Sequence, residues 1–282
     1  MRLPDALEGA VDLHVHSAPD VDPRRFNDLE LAAEAAKAGM RAVLLKSHQN
    51  STVERAWLTS KVVPGIHVFG GLVLNAPAGG INPAAVAVAL QLGAKQIWMP
   101  TRWAANHRRV HGQEGGVSIL NGDGEVIPEV AEVVRLISST DCILSTGHLS
   151  PLEGVALMRY AAKNSVRHLL VTHPEWPPTF YPVPLQRELA ALGVFFERCF
   201  VSTTHRCGFV PLATIVEAIA QVGIKSTVLA SDLGQPDTPA PVDGLRIYAA
   251  NLVAEGFDRD DIRRMMVTNP ALLLGLDPSP GS

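Results

Sequence analysis

A short apolar run, a turn and an alanine-rich amphipathic stretch follow one another eight times along this chain, and that rhythm limits what it can fold into. The apolar runs cover residues 11–15, 42–46, 66–74, 96–99, 142–146, 168–172, 194–199 and 227–231. Helical patterns follow at 29–38, 52–61, 83–92, 129–138, 151–163, 185–192, 211–221 and 245–255. Strands buried on both faces read as continuous apolar runs, and parallel neighbours need a helical crossover between them. Eight such units predict an α/β fold, a (β/α)8 barrel, with a doubly wound open sheet as the alternative that periodicity alone leaves standing. Ser150-Pro151-Leu152-Glu153 reads as a capping box with proline at the first helical position. Gly39, Gly93, Gly193 and Gly223 fall where a left-handed residue ends a helix.

The 282 residues contain no linker rich in proline, glycine or serine, so one barrel domain over residues 1–282 is expected. With 47% hydrophobic and 18% charged residues, the chain has enough apolar surface to offset the entropy of ordering. A net charge of −4 gives no global attraction to nucleic acid or anionic lipid, and neither is expected as a partner. Cys142, Cys199 and Cys207 are too few for a disulfide framework and read as reduced thiols. No secretory pattern opens the sequence and no apolar run reaches membrane-spanning length, so a cytoplasmic protein is expected.

Residues 101–127 are too long for a plain barrel loop. They carry Arg102, His107, Arg108, Arg109 and His111, and Asn121-Gly122-Asp123-Gly124 suggests a small hairpin. This connection reads either as a lid over the barrel mouth or as a solvated basic loop.

The chemistry lies in the histidines. His14 and His16 alternate with Val11, Leu13 and Val15, and residues two apart on a strand share a face, about 7 Å apart. If the apolar residues pack on helices, both imidazoles project into the barrel. His148 follows the fifth run, His173 the sixth and Asp232 the eighth, the end at which barrel enzymes place their sites. Imidazoles with a carboxylate suit zinc first, with manganese, iron and cobalt as alternatives, in one or two ions.

These residues carry a family resemblance. His14-x-His16 after strand one, His148 after strand five, His173 after strand six, Asp232 after strand eight and the closing Asn269-Pro270-Ala271 resemble the amidohydrolase superfamily, and within it an uncharacterised branch. The resemblance implies that His14, His16 and Asp232 serve one divalent metal and that His148 and His173 serve a second. It also implies a bridging carboxylated lysine or glutamate from strand four. Gln96-Ile97-Trp98-Met99-Pro100 has neither at its C-terminal end, and the substitutes are Lys46, on the face of His48, and Glu197.

The expected activity is hydrolysis of a small carbonyl-, amide- or ester-bearing substrate by a metal-activated water. Asp232 is expected as ligand and proton carrier. Lys46 is expected as carboxylated ligand or as a cation facing developing charge. Asn75, Arg102, His107 and Glu175 are candidate substrate contacts. Non-oxidative decarboxylation on the same site and metal-stabilised binding without turnover are the rival readings; self-association is left open.

Overall fold

The computed structural model describes residues 7–277. Its eight strands are β1 (Val11–Val15), β2 (Ala42–Leu45), β3 (His67–Val73), β4 (Gln96–Trp98), β5 (Ile143–Ser145), β6 (His168–Thr172), β7 (Val194–Cys199) and β8 (Thr227–Ala230). They pair in parallel in sequence order. An isolated bridge, Val15↔Leu233, joins β1 to the segment that follows β8, so the ring is nearly closed and the open-sheet alternative falls. Helices α1 (Asp28–Lys37), α2 (Val53–Val62) and α3 (Pro83–Gln91) follow the first three strands. A short α4 (Ala105–Val110) and then α5 (Pro128–Ser138) follow β4. The last crossovers are α6 (Pro151–Lys163), α7 (Val183–Ala191), α8 (Leu212–Val222) and α9 (Pro241–Ala254). Ser150 and Glu153 form the expected capping box on α6. Among the described residues no helix is long and apolar enough to cross a membrane.

One irregularity decides where the site residues point. Asp12 pairs with Val43 but Val15 pairs with Leu45, so three steps on β1 match two on β2. Such a bulge breaks strict alternation. Val11 and Leu13 therefore pack with Leu44, Val73, Trp98, Ile143, Leu170 and Val228, a cluster drawn from seven strands and so lying inside the barrel. Only Val15 joins the helix layer, with Leu31, Ala32 and Ala35. The expectation that all three apolar residues of this run face helices is corrected accordingly. The slip leaves amides to satisfy, and the Asp12 carboxylate accepts those of His14 at 3.1 Å and Ser231 at 3.0 Å.

The closing seam uses main-chain groups of the site itself. The amide of Asp232 donates to the His14 carbonyl at 2.7 Å, and that of His16 donates to the Leu233 carbonyl at 2.8 Å. Gly234, at φ 131°, is required here, because a Cβ would strike the His16 carbonyl oxygen.

At the opposite end, α10 (Arg259–Arg263) leads through a π-helical turn into α11 (Asn269–Leu273). Ala271, Leu273 and Leu274 plug the interior cluster. The buried Asn269 amide donates to the carbonyls of Ile224 at 2.8 Å and Thr227 at 2.6 Å, which explains the Asn-Pro-Ala ending as a bottom seal.

The long connection after β4 is only partly as expected. It opens with α4, which the sequence pattern does not announce, and the hairpin reduces to one bridge, Leu120↔Val126. Glu153 anchors it by accepting from the Ser118 hydroxyl and the Ile119 amide. Its start borders the strand ends, whereas residues 111–116 are exposed.

Asn269→Ala removes two buried donors, a loss worth about 1–3 kcal/mol. The melting temperature should fall by several degrees while metal content stays at the wild-type level, checked by calorimetry and elemental analysis.

Candidate metal centre

Four side chains from three strand ends meet at the C-terminal mouth. His14 Nε2 and His16 Nε2 each lie 3.0 Å from Asp232 Oδ1, and His173 Nε2 lies 3.2 Å from Oδ2. Asp232 and His173 have left-handed backbones, at φ 49° and 53°. Non-glycine residues rarely adopt this region, and where they do, surrounding contacts must impose it. The His173 amide donates to the Glu197 carbonyl at 3.1 Å and its carbonyl accepts from the Thr179 hydroxyl at 2.7 Å. Asp232 is held by the seam bond to His14.

Glu197 and Lys46 flank His14 on opposite edges. Glu197 Oε2 lies 3.1 Å from His14 Nδ1, and Lys46 Nζ lies 2.8 Å from its Nε2. The Lys46 ammonium also sits 5.4 Å from the Trp98 ring. Trp98 thus stands on β4, the strand from which the family resemblance implies a bridging ligand.

Burial governs the charges. It opposes an imidazolium at His14, but Asp232 and Glu197 outweigh it and the net shift is upward. His16, His48 and His148 are pushed well below the ordinary imidazole range, chiefly by burial. Burial likewise lowers Lys46 and raises Asp12 to about 6. Asp232 resists the upward push of burial because three imidazoles surround it, and its carboxyl falls well below the usual range.

The donor set fits a divalent ion. When Glu197 accepts the His14 Nδ1 proton, Nε2 turns a lone pair toward both Lys46 Nζ at 2.8 Å and the Asp232 oxygen at 3.0 Å, and a divalent ion bound there would take the place of that ammonium. Two tetrahedral ligands about 2.0–2.1 Å from zinc lie about 3.3 Å apart, close to the 3.0–3.2 Å seen for the three imidazole–carboxylate pairs. Among the described residues, His16 and His173 each leave Nδ1 without a partner, so no described group fixes these two rings through their far edge.

The remaining candidates separate into neighbours and outsiders. His148 stands 5.7 Å from His173 between ring centroids, but its Nδ1 faces His107 Nδ1 at 2.9 Å, one nitrogen donating to the other. His107 therefore reaches the centre's edge from α4, and its pKa falls to about 4, mainly through burial. His48 packs on His16 at 5.0 Å, with Nδ1 on the Thr101 hydroxyl. Asn75 spends both ends of its amide inside the protein, donating to the His48 carbonyl and Thr101 hydroxyl and accepting the amides of Thr101 and Trp103. Glu175 lies with Arg198 and Gln186, off the barrel interior. Arg102 pairs with Asp22 beside a cavity of about 270 Å³ that Arg24, Arg206 and Asp237 also line.

Sequence reasoning passed over Cys199. Its Sγ lies 3.7 Å from His14 Nδ1, and one ligand atom from each of His14, His173, Cys199 and Asp232 falls within 4.8 Å of the others. The signal was present as Glu197-x-Cys199, two residues of one strand face.

The model of a family of unknown function, DUF6282, matches residues 9–197, well over half of the chain. The chain belongs to that family. The matched span holds every candidate histidine of the centre and Lys46, and ends before Cys199 and Asp232. No curated protein matches the sequence. Among solved structures, an amidohydrolase from Pseudomonas aeruginosa is similar, with a TM-score of 0.65 at 13% identity over 96% of this chain and 97% of that one. The organophosphorus hydrolase from Deinococcus radiodurans gives 0.61 at 14%, over 96% and 93%. A prolidase complexed with N-methylphosphonate-L-proline gives 0.58 at 15%, over 98% and 76%. At these identities the likeness is one of fold. It agrees with the amidohydrolase resemblance read from the sequence.

Protein purified without chelator should carry at least one transition-metal ion per chain, and joint replacement of His14 and His16 by alanine should remove most of it. Elemental analysis checks both; undiminished metal in the double variant would refute this ligand assignment.

Proposed function

We propose that this protein is a metal-dependent hydrolase of a small carbonyl-, amide- or ester-bearing molecule. The observation that carries the reading is the convergence of three imidazole nitrogens on the Asp232 carboxylate at the barrel mouth. His14, His16, His173 and Asp232 hold a divalent ion, zinc by the chemistry of the donors, with His148 beside them toward a second position. A bound divalent ion supplies Lewis-acid polarisation of the scissile group and acidifies water.

The protein's own groups do the rest. Asp232, with one carboxylate oxygen toward His14 and His16 and the other toward His173, takes a proton from the attacking water and returns it to the leaving group. Glu197 orients His14 by accepting its Nδ1 proton. As an ammonium, Lys46 faces negative charge developing on the substrate. His107, which faces His148 from α4, and Arg102, which lines the cavity beside Asp22, are the proposed substrate contacts. Asn75 and Glu175, engaged within the protein, shape the site without touching substrate.

A metal-loaded sample incubated in ¹⁸O-labelled water with esters, lactones, amides and organophosphorus esters tests this directly. Label should appear in the product. Release of carbon dioxide from a carboxylic acid without label would favour a decarboxylase, and ligand-induced thermal stabilisation with no product would favour a binding protein. On any substrate so found, Asp232→Asn should lower kcat by at least about 100-fold while the sample retains appreciable metal; near-normal kcat would remove Asp232 from proton transfer.

Lys46 takes a different role if two ions are held. Its neutral amine would then take up carbon dioxide and release a proton to give a carbamate, whose two oxygens would be the anionic donors that the second position otherwise lacks. Protein loaded to two ions per chain in ¹³C-bicarbonate should give a carbamate carbon resonance that Lys46→Ala lacks. Two ions without that resonance would reject the bridge.

A further inference from the structure

We propose that Arg24, Arg102 and Arg206 form an anion-binding subsite beside the metal centre, and that the substrate carries a carboxylate or phosphate group apart from its scissile bond. The inference rests on the hydrolase reading above and names the class of its substrate.

The three guanidinium groups come from separate loops, after β1, β4 and β7. They line one cavity of about 270 Å³ with Gln235, Pro236 and Asp237 from the loop after β8. Arg24 is the buried member, and its Nη2 and Nε both donate to Asp20, at 3.0 and 3.2 Å, which fixes the guanidinium. Arg102 and Arg206 remain 43% and 39% exposed, so a small molecule can reach them.

This cavity adjoins the metal ligands. The Gln235 side-chain amide donates to the Asp232 carbonyl at 3.2 Å, and the Arg25 amide donates to the Gly234 carbonyl at 2.8 Å, so the loops carrying Arg24 and Gln235 are tied together next to Asp232. Its positive charge is felt inside the centre. Burial first, and then the Arg24 guanidinium, depresses His16; burial with a smaller push from Arg102 does the same at Lys46 and His48.

Gathering cations from distant parts of a chain is unfavourable unless anions lie between them. Here three guanidinium groups face two carboxylates on the cavity wall, with Asp20 as a third anion on Arg24. Asp237 is taken by Arg206 and His205. Asp22 is shared, 2.6 Å from Arg102 Nη1 and 3.7 Å from Arg24 Nη2. Its carboxylate marks where an incoming acid group sits, and the ligand competes with it for Arg102. A guanidinium pairs bidentately with either acid group, and so fixes the orientation of the scissile bond relative to Asp232 as well as adding affinity.

Titration calorimetry on metal-free protein separates the subsite from the centre, since no metal ion is then present to take the acid group. Succinate and inorganic phosphate are the probes, and neutral succinamide is the comparison; the tighter-binding acid distinguishes carboxylate from phosphate. At least one acid should bind, succinamide should not, and added salt should weaken the binding. Arg102→Gln and Arg206→Gln should each weaken it at least about tenfold. Arg135→Gln, on the exposed face of α5, should leave it unchanged. Asp22→Asn, by removing the competing carboxylate, should strengthen it about two- to fivefold. No anion binding, binding that both arginine variants leave intact, or weaker binding in Asp22→Asn would overturn the subsite. Metal-loaded protein should then hydrolyse an acid-bearing ester or amide at least about tenfold better in kcat/KM than its uncharged counterpart. The opposite preference would overturn the substrate class. Anion binding without turnover of any substrate would overturn the hydrolase reading and leave the subsite standing.

Discussion

The seam between β8 and β1 is the constraint on which the rest depends. Closing a parallel barrel requires the last strand to find the first, and here the bonds that do so run through the site residues themselves. The Asp232 amide is tied to the His14 carbonyl and the His16 amide to the Leu233 carbonyl. The same contacts that remove the sheet edges therefore set the Asp232 carboxylate 3.0 Å from both imidazoles of the first strand. The bulge on β1 works with this closure, turning Leu13 into the barrel and leaving Asp12 to bond the amides of His14 and Ser231 across the seam. Fold stability and ligand placement are in this way one problem. A change that loosens the seam moves the carboxylate as well as the strand.

Much of this was legible in the sequence because burial imposes continuous apolar runs on parallel strands. Three of the eight strands, β1, β6 and β7, have the bounds the pattern suggests, and the others differ by one residue at one or both ends. Helix α9 begins four residues earlier than its apolar pattern, since Pro241 starts it and Pro241 and Val242 already pack against the barrel. Helix α4 left no trace, being six residues carrying three basic side chains and drawing its order from neighbours such as His148. The bulge was equally invisible. Periodicity of two assumes a regular strand, and the slip between Asp12 and Val15 exists only relative to β2.

The site shows the same division. Strand ends announce which residues arrive at the mouth, so His14, His16, Lys46, His148, His173 and Asp232 could be named from position. Which way each side chain spends its polar atoms is a tertiary matter. Asn75 ends its strand as suggestively as His148, yet its amide is wholly occupied in tying the His48 carbonyl to the loop of Thr101 and Trp103. Glu175 follows His173 by two residues, but the left-handed turn at His173 directs the chain outward, where Arg198 and Gln186 receive the carboxylate. Cys199 was read by count, as one thiol of three, when its register with Ala230 was the informative fact.

The most telling departure from the family pattern is on β4. Trp98 fills the barrel interior where the resemblance implies a bridging anion, and indole has no lone pair to offer a metal. It does offer an aromatic face, and the Lys46 nitrogen lies 5.4 Å from the ring centre. The two residues thus behave as an exchanged pair. The strand that ordinarily supplies the anion supplies an apolar wall, and the second strand supplies a lysine that approaches His14 over that wall. A cation–π contact stabilises the ammonium form, whereas two bound ions stabilise the carbamate. On the proposed reading, metal count and lysine chemistry are coupled: a second ion would require Lys46 to exchange its positive charge for the carbamate's negative one, and an ammonium retained against Trp98 would oppose that ion.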